Sequence, residues 1–319
     1  MRVFLVVFIL FSTLLSCNKD TPKTIDLSKI DVHFSIDRFD VNFYNTSVKT
    51  LSSTKKKYPL LFPKDTKDSV WISKINDTDE QELFAETQKL YKDFSSTKKQ
   101  LTSLFKHIKY YNPKFKSPKV ITMLTNIDYD NRILYADSLL LISLDAYLGK
   151  NHEFYADYPK YIKENNTKEH IIVDVANAII DTQIAQNNSR TFVSKIIYEG
   201  KKLYLSDLYL PTVSDKEKIG YTKDKLAWAE SNEEQIWKYF IENKLLFSTD
   251  TKLNKRFIEN APFSKFYLEQ DNLSPGKIGS WIGWKIVISY MKHHDVSLQK
   301  LINLDAESLL NNSKYKPKK

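Results

Sequence analysis

The chain has 319 residues with a formal net charge of +9, 42% hydrophobic and 13% aromatic residues, and a single cysteine. That composition excludes a disordered chain and a disulfide framework, so a packed core must hold the fold. The charge comes from lysines scattered in small clusters, Lys55 to Lys57, Lys98-Lys99, Lys201-Lys202 and the tail Lys314 to Lys319. Arginine is rare, which argues against a nucleic-acid surface and for a solvated lysine exterior, with attraction to anionic lipid or glycan as the sharper alternative.

The chain opens with Arg2, an apolar run from Val3 to Leu15, and Leu14-Leu15-Ser16-Cys17 before the polar Asn18-Lys19-Asp20. A run of roughly 13 residues is short of the roughly 20 that a spanning helix needs. The pattern predicts a signal peptide over 1–16 and a lipobox, with cleavage before Cys17 and lipidation of its thiol. Several acyl chains, each buried methylene worth about 0.8 kcal/mol, make such an anchor effectively permanent. Residues 17–29, polar and with Pro22, are expected to form a flexible tether, and residues 30–319 one globular domain.

From Ile30 the residues Ile30, Val32, Phe34 and Ile36 alternate with polar ones, the period of a half-buried strand that turns His33 outward. After a lysine-rich loop with Pro59 and Pro63, Thr78 and Gln81 predict a capping-box helix start. Its stripe is Leu83, Phe84, Leu90, Tyr91 and Phe94, and a second segment carries Leu101, Leu104, Phe105 and Ile108. Strands are expected at Val120 to Leu124, Ile133 to Tyr135 and Leu139 to Leu144. The last, apolar on both faces, belongs in the middle of its sheet. Helices dominate after Gly149: a stripe from Ile172 to Ile180, Phe192 to Tyr198 ending at Gly200, one opened by Ser231 before Ile236, and Ile278 to Met291. These elements predict a helix-rich α+β domain with a small, mainly N-terminal sheet.

Catalytic patterns are sparse. No H-E-x-x-H occurs; the nearest approach is His170 with Asp174 at i, i+4 beside Glu169, too few ligands for a catalytic zinc without a distant third. His152 and the pair His293-His294 sit in polar stretches and read as solvated, and His170 and Asp174 as partly exposed helix residues. No G-x-S-x-G elbow or phosphate-cradling loop appears. Nothing marks catalytic, metal or cofactor-binding residues, and no small-molecule substrate is identified. Asp68-Ser69-Val70 and Asp137-Ser138-Leu139 fit a short O-glycosylation acceptor pattern, with Ser69 the better candidate.

The most unusual stretch holds Gly276, Gly279 and Gly283 interleaved with Trp281 and Trp284. Small residues at i and i+4 let another backbone come close, which predicts tight packing against a neighbouring helix. The functional alternative is a partner-binding groove formed by Gly279 and Gly283 and floored by Trp281 and Trp284, for a partner chain or a glycan.

Four segments carry a family resemblance: "DLYLPTVSDKEKIGYT" (207–222), "WAESNEEQIWKYFIENKLLFSTD" (228–250), "APFSKFYLEQDNLSPGKIGSWIGWKIVISYM" (261–291) and the tail "SKYKPKK" (313–319). They resemble the GldB gliding-motility lipoproteins of Bacteroidetes. The resemblance implies a non-catalytic envelope scaffold or assembly factor that supports gliding and type IX secretion. It is anchored through Cys17, has other envelope proteins as partners, and brings no catalytic residues. The outer membrane is the favoured site, since Asn18 lacks the acid linked to inner-membrane retention in other bacteria. The block from Ser274 to Met291 is also similar to a predicted zinc-peptidase family. If the helix around Lys168 to Gln186 corresponds to that family's active helix, Ile171, Ile172 and Val173 stand where ligands would be needed. That implies a degenerate zinc-peptidase-like fold. A metallohydrolase using His170 and Asp174 and a cell-wall glycan binder using Trp281 and Trp284 are the competing functions.

Overall fold

The computed structural model describes residues 25–136, 138–185 and 189–319. Cys17 and Asp137 lie outside them, as do the signal peptide and most of the expected tether. The chain divides after Asp31, and Val32–Lys319 forms one unit. Among the described residues no helix is long and apolar enough to cross a membrane.

Four short strands make a mixed, open sheet in the order β1 (Ile36–Arg38), β2 (Lys119–Met123), β4 (Leu139–Ser143), β3 (Ile133–Ala136). β1 runs parallel to β2 with Ile36 opposite Val120, and β2 parallel to β4 with Ile121 opposite Leu141. β3 and β4 form an antiparallel pair, Leu134 opposite Leu141. β4 is an interior strand, as its two-sided apolar sequence predicts, with Leu140 and Ile142 fully buried. The alternation from Ile30 places Asp31, His33 and Ser35 outward, but only Ile36–Arg38 pairs as strand.

The helices of the first half are α1 (Phe39–Tyr44), α2 (Leu51–Lys57), α3 (Asp68–Asn76), α4 (Thr78–Tyr91) and α5 (Ser95–Tyr111). α4 starts where expected, but its cap is Asp77, which accepts from the backbone N–H of Asp79 and Glu80, both at 3.0 Å. Gln81 instead donates from Nε2 to the Ile75 carbonyl at 2.6 Å, tying α4 back to α3. Of the expected stripe, Leu83 and Tyr91 are buried and Leu90 is exposed. A buried carboxylate joins α1 to the sheet and to α4: Asp40 receives a two-pronged Arg38 guanidinium, Gln88 Nε2 at 3.0 Å and the Thr122 hydroxyl at 2.5 Å.

The later helices are α6 (Lys160–Lys163), α7 (Ile171–Gln183), α8 (Phe192–Tyr209), α9 (Asp215–Ile219), α10 (Lys223–Ser231), α11 (Glu233–Glu242), α12 (Lys252–Phe257), α13 (Ile278–His293), α14 (Leu298–Asn303) and α15 (Ala306–Asn312). Ser231 closes α10 rather than opening the next helix, whose first residue is Glu233. α8 does not stop at Gly200; it continues to Tyr209. The reason is tertiary. Gly200 faces Gly283 of α13, and the two helices pack closely there, so the glycine serves a helix crossing and not a C-cap.

Two apolar cores share α8 as a common wall. The first unites the sheet with α1 to α5, α7 and the C-terminal end of α8 at Leu205 and Tyr209. The second gathers Phe192, Ile196 and Ile197 of α8 with Phe240, Phe257, Trp281 and Trp284. The whole is a helix-rich α+β fold with a small four-stranded sheet drawn from the N-terminal half.

Candidate functional site: a charged cluster and the pocket beside it

α7 begins directly after a single 3-10 turn, Lys168–His170, so His170 and Asp174 fall one helical turn apart on the same face. His170 is buried, contrary to the partly exposed setting expected of it. Its Nδ1 lies 2.9 Å from Glu217 Oε1 on α9, and its Nε2 lies 3.5 Å from Asp174 Oδ1. The other oxygen of Asp174 accepts from Arg132 Nε at 2.9 Å and from the Tyr147 hydroxyl at 2.7 Å. Both side chains are therefore already engaged by protein groups. Among the described residues no group of three or more His, Cys, Asp or Glu side chains could hold a metal ion.

Arg132 sits just before β3 with its guanidinium over the rings of Tyr129 at 4.5 Å and Tyr147 at 5.4 Å, and donates to Asn166 at 3.3 Å. Burial is the largest single influence and works against its charge, but Asp174 together with Tyr147 and Tyr129 outweighs it and raises the guanidinium above its ordinary value. The hydrogen bond from His170 lowers the Glu217 carboxyl. On the neighbouring helix Lys202 bridges Asp181 at 2.8 Å and Glu199 at 3.6 Å, so Glu199 too has a cationic partner. The arrangement is an alternation of fixed charges that locks α7, α8 and α9 to the start of β3.

Next to this cluster a pocket of about 820 Å³ opens beside α6, α10 and the two loops that lead from α12 into α13. Its walls include Tyr161, Tyr221, Trp228, Pro262 and Pro275. The loop before α13 is firmly held: Lys225 Nζ donates to the carbonyls of Asn272, Leu273 and Ser274 at 2.8, 3.1 and 2.6 Å, and the Tyr221 hydroxyl donates to Gly276 O at 2.7 Å. A Cβ on Gly276 would lie 2.2 Å from Ala261 O, so this glycine permits the two loops to cross.

Lys277, the residue before α13, has a left-handed backbone, φ 55°, and also lines the pocket. Its ammonium senses Glu199 and Asp174 against Lys202 and Arg132, yet no carboxylate among the described residues comes within ion-pair distance. Burial is the largest influence and lowers its pKa. Asn260 connects the pocket with the cluster by donating to the Tyr129 hydroxyl at 3.4 Å.

The other sequence candidates fall elsewhere. Trp281 and Trp284 are wholly buried, Trp284 donating to Asp207 at 2.7 Å, while Gly279 and Gly283 are covered by the backbones of Phe257 and Ile196. The candidate groove at these four residues is closed, because α8 and α12 occupy it. A glycan therefore has no access to either indole. His152 is half-buried, with Nε2 3.6 Å from Glu86, and His294 stacks on Tyr290, so neither is simply solvated. Ser69 is exposed at the start of α3. Sequence reasoning missed Arg132, Glu217, Glu199 and Lys277. One usable signal was there: a lysine-rich chain that retains a few arginines keeps them where a planar, bidentate or stacked group is needed.

No curated protein and no solved structure gives a significant match to this chain. The family described as Gliding motility protein GldB matches residues 20–317, nearly its full length. With a match over nearly all of its length, the chain belongs to the GldB family of gliding motility proteins.

Proposed function

We propose that the protein is a lipid-anchored scaffold of the gliding and type IX secretion machinery, held to the outer membrane through Cys17 and acting by contact with other envelope proteins. Family membership over residues 20–317 is the observation that carries this reading. The charged cluster supports it, since Arg132, Asp174, His170 and Glu217 are engaged with one another and tie distant segments of the fold together.

We read the fold itself as a degenerate zinc-peptidase-like one. His170, at the cap of α7, and Asp174 stand one helical turn apart, the i, i+4 spacing that can present two metal ligands from one helix face. Here Arg132 supplies the positive charge. Photo-crosslinking in living cells from exposed positions, with the captured neighbours identified, tests the scaffold role. Capture of other envelope components of the gliding apparatus is expected. Stoichiometric zinc in the purified protein together with peptide cleavage would overturn it.

A further inference from the structure

The pocket beside Lys277 combines features that the scaffold reading leaves unused. Its lining includes Lys277, whose ammonium no carboxylate or carbonyl of the described residues contacts. Its walls are mostly apolar, with Trp228, Tyr161, Pro262 and Pro275. A volume of about 820 Å³ lies within the roughly 300–1,000 Å³ that encloses a drug-sized ligand, which is also enough for a few amino-acid residues. The loop that forms one lip is pinned by Lys225 and Tyr221, so little ordering remains to oppose binding.

We propose that this pocket receives the C-terminal carboxylate of a partner polypeptide, with Lys277 as its counter-ion and the apolar wall taking the terminal side chain. The assignment rests on the reading of the protein as one that works through protein contacts. Of the charged groups on the wall, Lys225 is taken by three carbonyls and Glu164 by Lys150, which leaves Lys277, the exposed Lys160 and Asp224, a net positive lining that favours a singly charged anion. A chain end places one carboxylate and one apolar side chain on the same carbon, matching an ammonium flanked by apolar wall. It also needs only a single mouth, whereas an internal Asp or Glu would require the chain to enter and leave. Leu273 on the pocket lining is 51% exposed, and the same loop exposes Tyr267 and Leu268 at 73% and 63%, apolar area that the body of a polypeptide could cover and a small amphiphile could not.

The test uses the full chain in lipid nanodiscs and fluorescence anisotropy of two labelled hexapeptide pools, one ending in Leu or Phe with a free carboxylate, the other with the same sequences amidated. The free-acid pool is expected to bind at least tenfold more tightly than the amide. Lys277→Met should erase that difference and Lys277→Arg should keep it. Leu273→Glu, at an exposed position that tolerates exchange, should weaken the free-acid pool about tenfold by placing a like charge at the mouth. Thermal unfolding of each variant confirms the fold. Absence of binding, equal binding of acid and amide, equal binding of an amidated pool with an internal Glu, or displacement of the peptides by palmitate would each overturn the assignment. Crosslinks in cells that fall on other surfaces would leave the scaffold role standing while this pocket assignment failed.

Discussion

A Cβ placed on Gly200 would stand 2.2 Å from the carbonyl carbon of Gly283, and one on Gly283 would stand 1.7 Å from the carbonyl oxygen of Ile196. Two helices that meet at this separation have no room for even one methyl group, and the obstacle is backbone, which cannot rotate aside as a side chain can. Gly283→Ala should therefore destabilise the protein by at least about 3 kcal/mol, the upper part of the overpacking range, despite alanine's better helix propensity. Gly149→Ala is the contrast. Its Cβ would meet nothing within 4 Å, so only the strain of φ 111° remains, on the order of 1–3 kcal/mol. Urea unfolding of both variants separates the two causes.

The Arg132–Asp174 pair is mostly buried, with side-chain exposures of 12% and 13%. Removing the cation alone leaves Asp174 supported by Tyr147 and His170, and Arg132→Met should cost roughly 3 kcal/mol. A double change, Arg132→Met with Asp174→Leu, should lose less than the single one because no carboxylate is left unpaired. A double variant as unstable as the single one would show that lost packing, and not charge, dominates.

Lys201 is buried, with Nζ 3.0 Å from Ile302 O and 2.5 Å from Leu304 O, and burial lowers its pKa to about 8. The unfolded chain keeps the ordinary value near about 10.4, so between these limits it binds the proton that the fold releases. Stability contributed by this site should rise from pH 8 to pH 10, by at most about 3 kcal/mol and by less if the two carbonyls favour the charged form. The difference between the wild-type and Lys201→Met stability profiles across that range isolates the effect. A flat difference would exclude it.

Cys17→Ala should release the protein from membranes, because the proposed anchor needs the thiol sulfur itself. Fractionation of cells and metabolic labelling with a palmitate analogue read the two halves of that statement separately. Membrane association that persists without the label would point to a different attachment.

Much of the fold is legible in local patterns. The run Leu139 to Ser143 declares an interior strand, and the stripe Leu101, Leu104, Phe105 and Ile108 declares a buried helix face, because periodicity reports which side of an element avoids water. The helix start at Thr78 was readable to within its first residue, while its cap was not, since Asp77 and Thr78 both suit that role and only the chain's approach angle chooses. The candidate site was much less visible. His170 and Asp174 announce each other by their spacing, but Arg132 and Glu217 reach them from distant parts of the chain with no spacing rule to connect them.

What this sequence determined alone is therefore what depends on near neighbours along the chain: the strand and helix periods, and a family signature that spans residues 20–317. Tertiary structure decided the meaning of residues whose role depends on what lies opposite. Gly200 reads as a helix stop until Gly283 is brought against it, and the Gly279–Trp284 stretch reads either as a close helix contact or as a groove until the backbone of Ile196 is found against Gly283. Lys277 reads as one more surface lysine until α13 begins beside a pocket and buries its ammonium. The physical reason is common to all three: a side chain's sequence neighbours set its local conformation, but its environment, and with it any charge or packing role, is set by backbone that arrives from elsewhere.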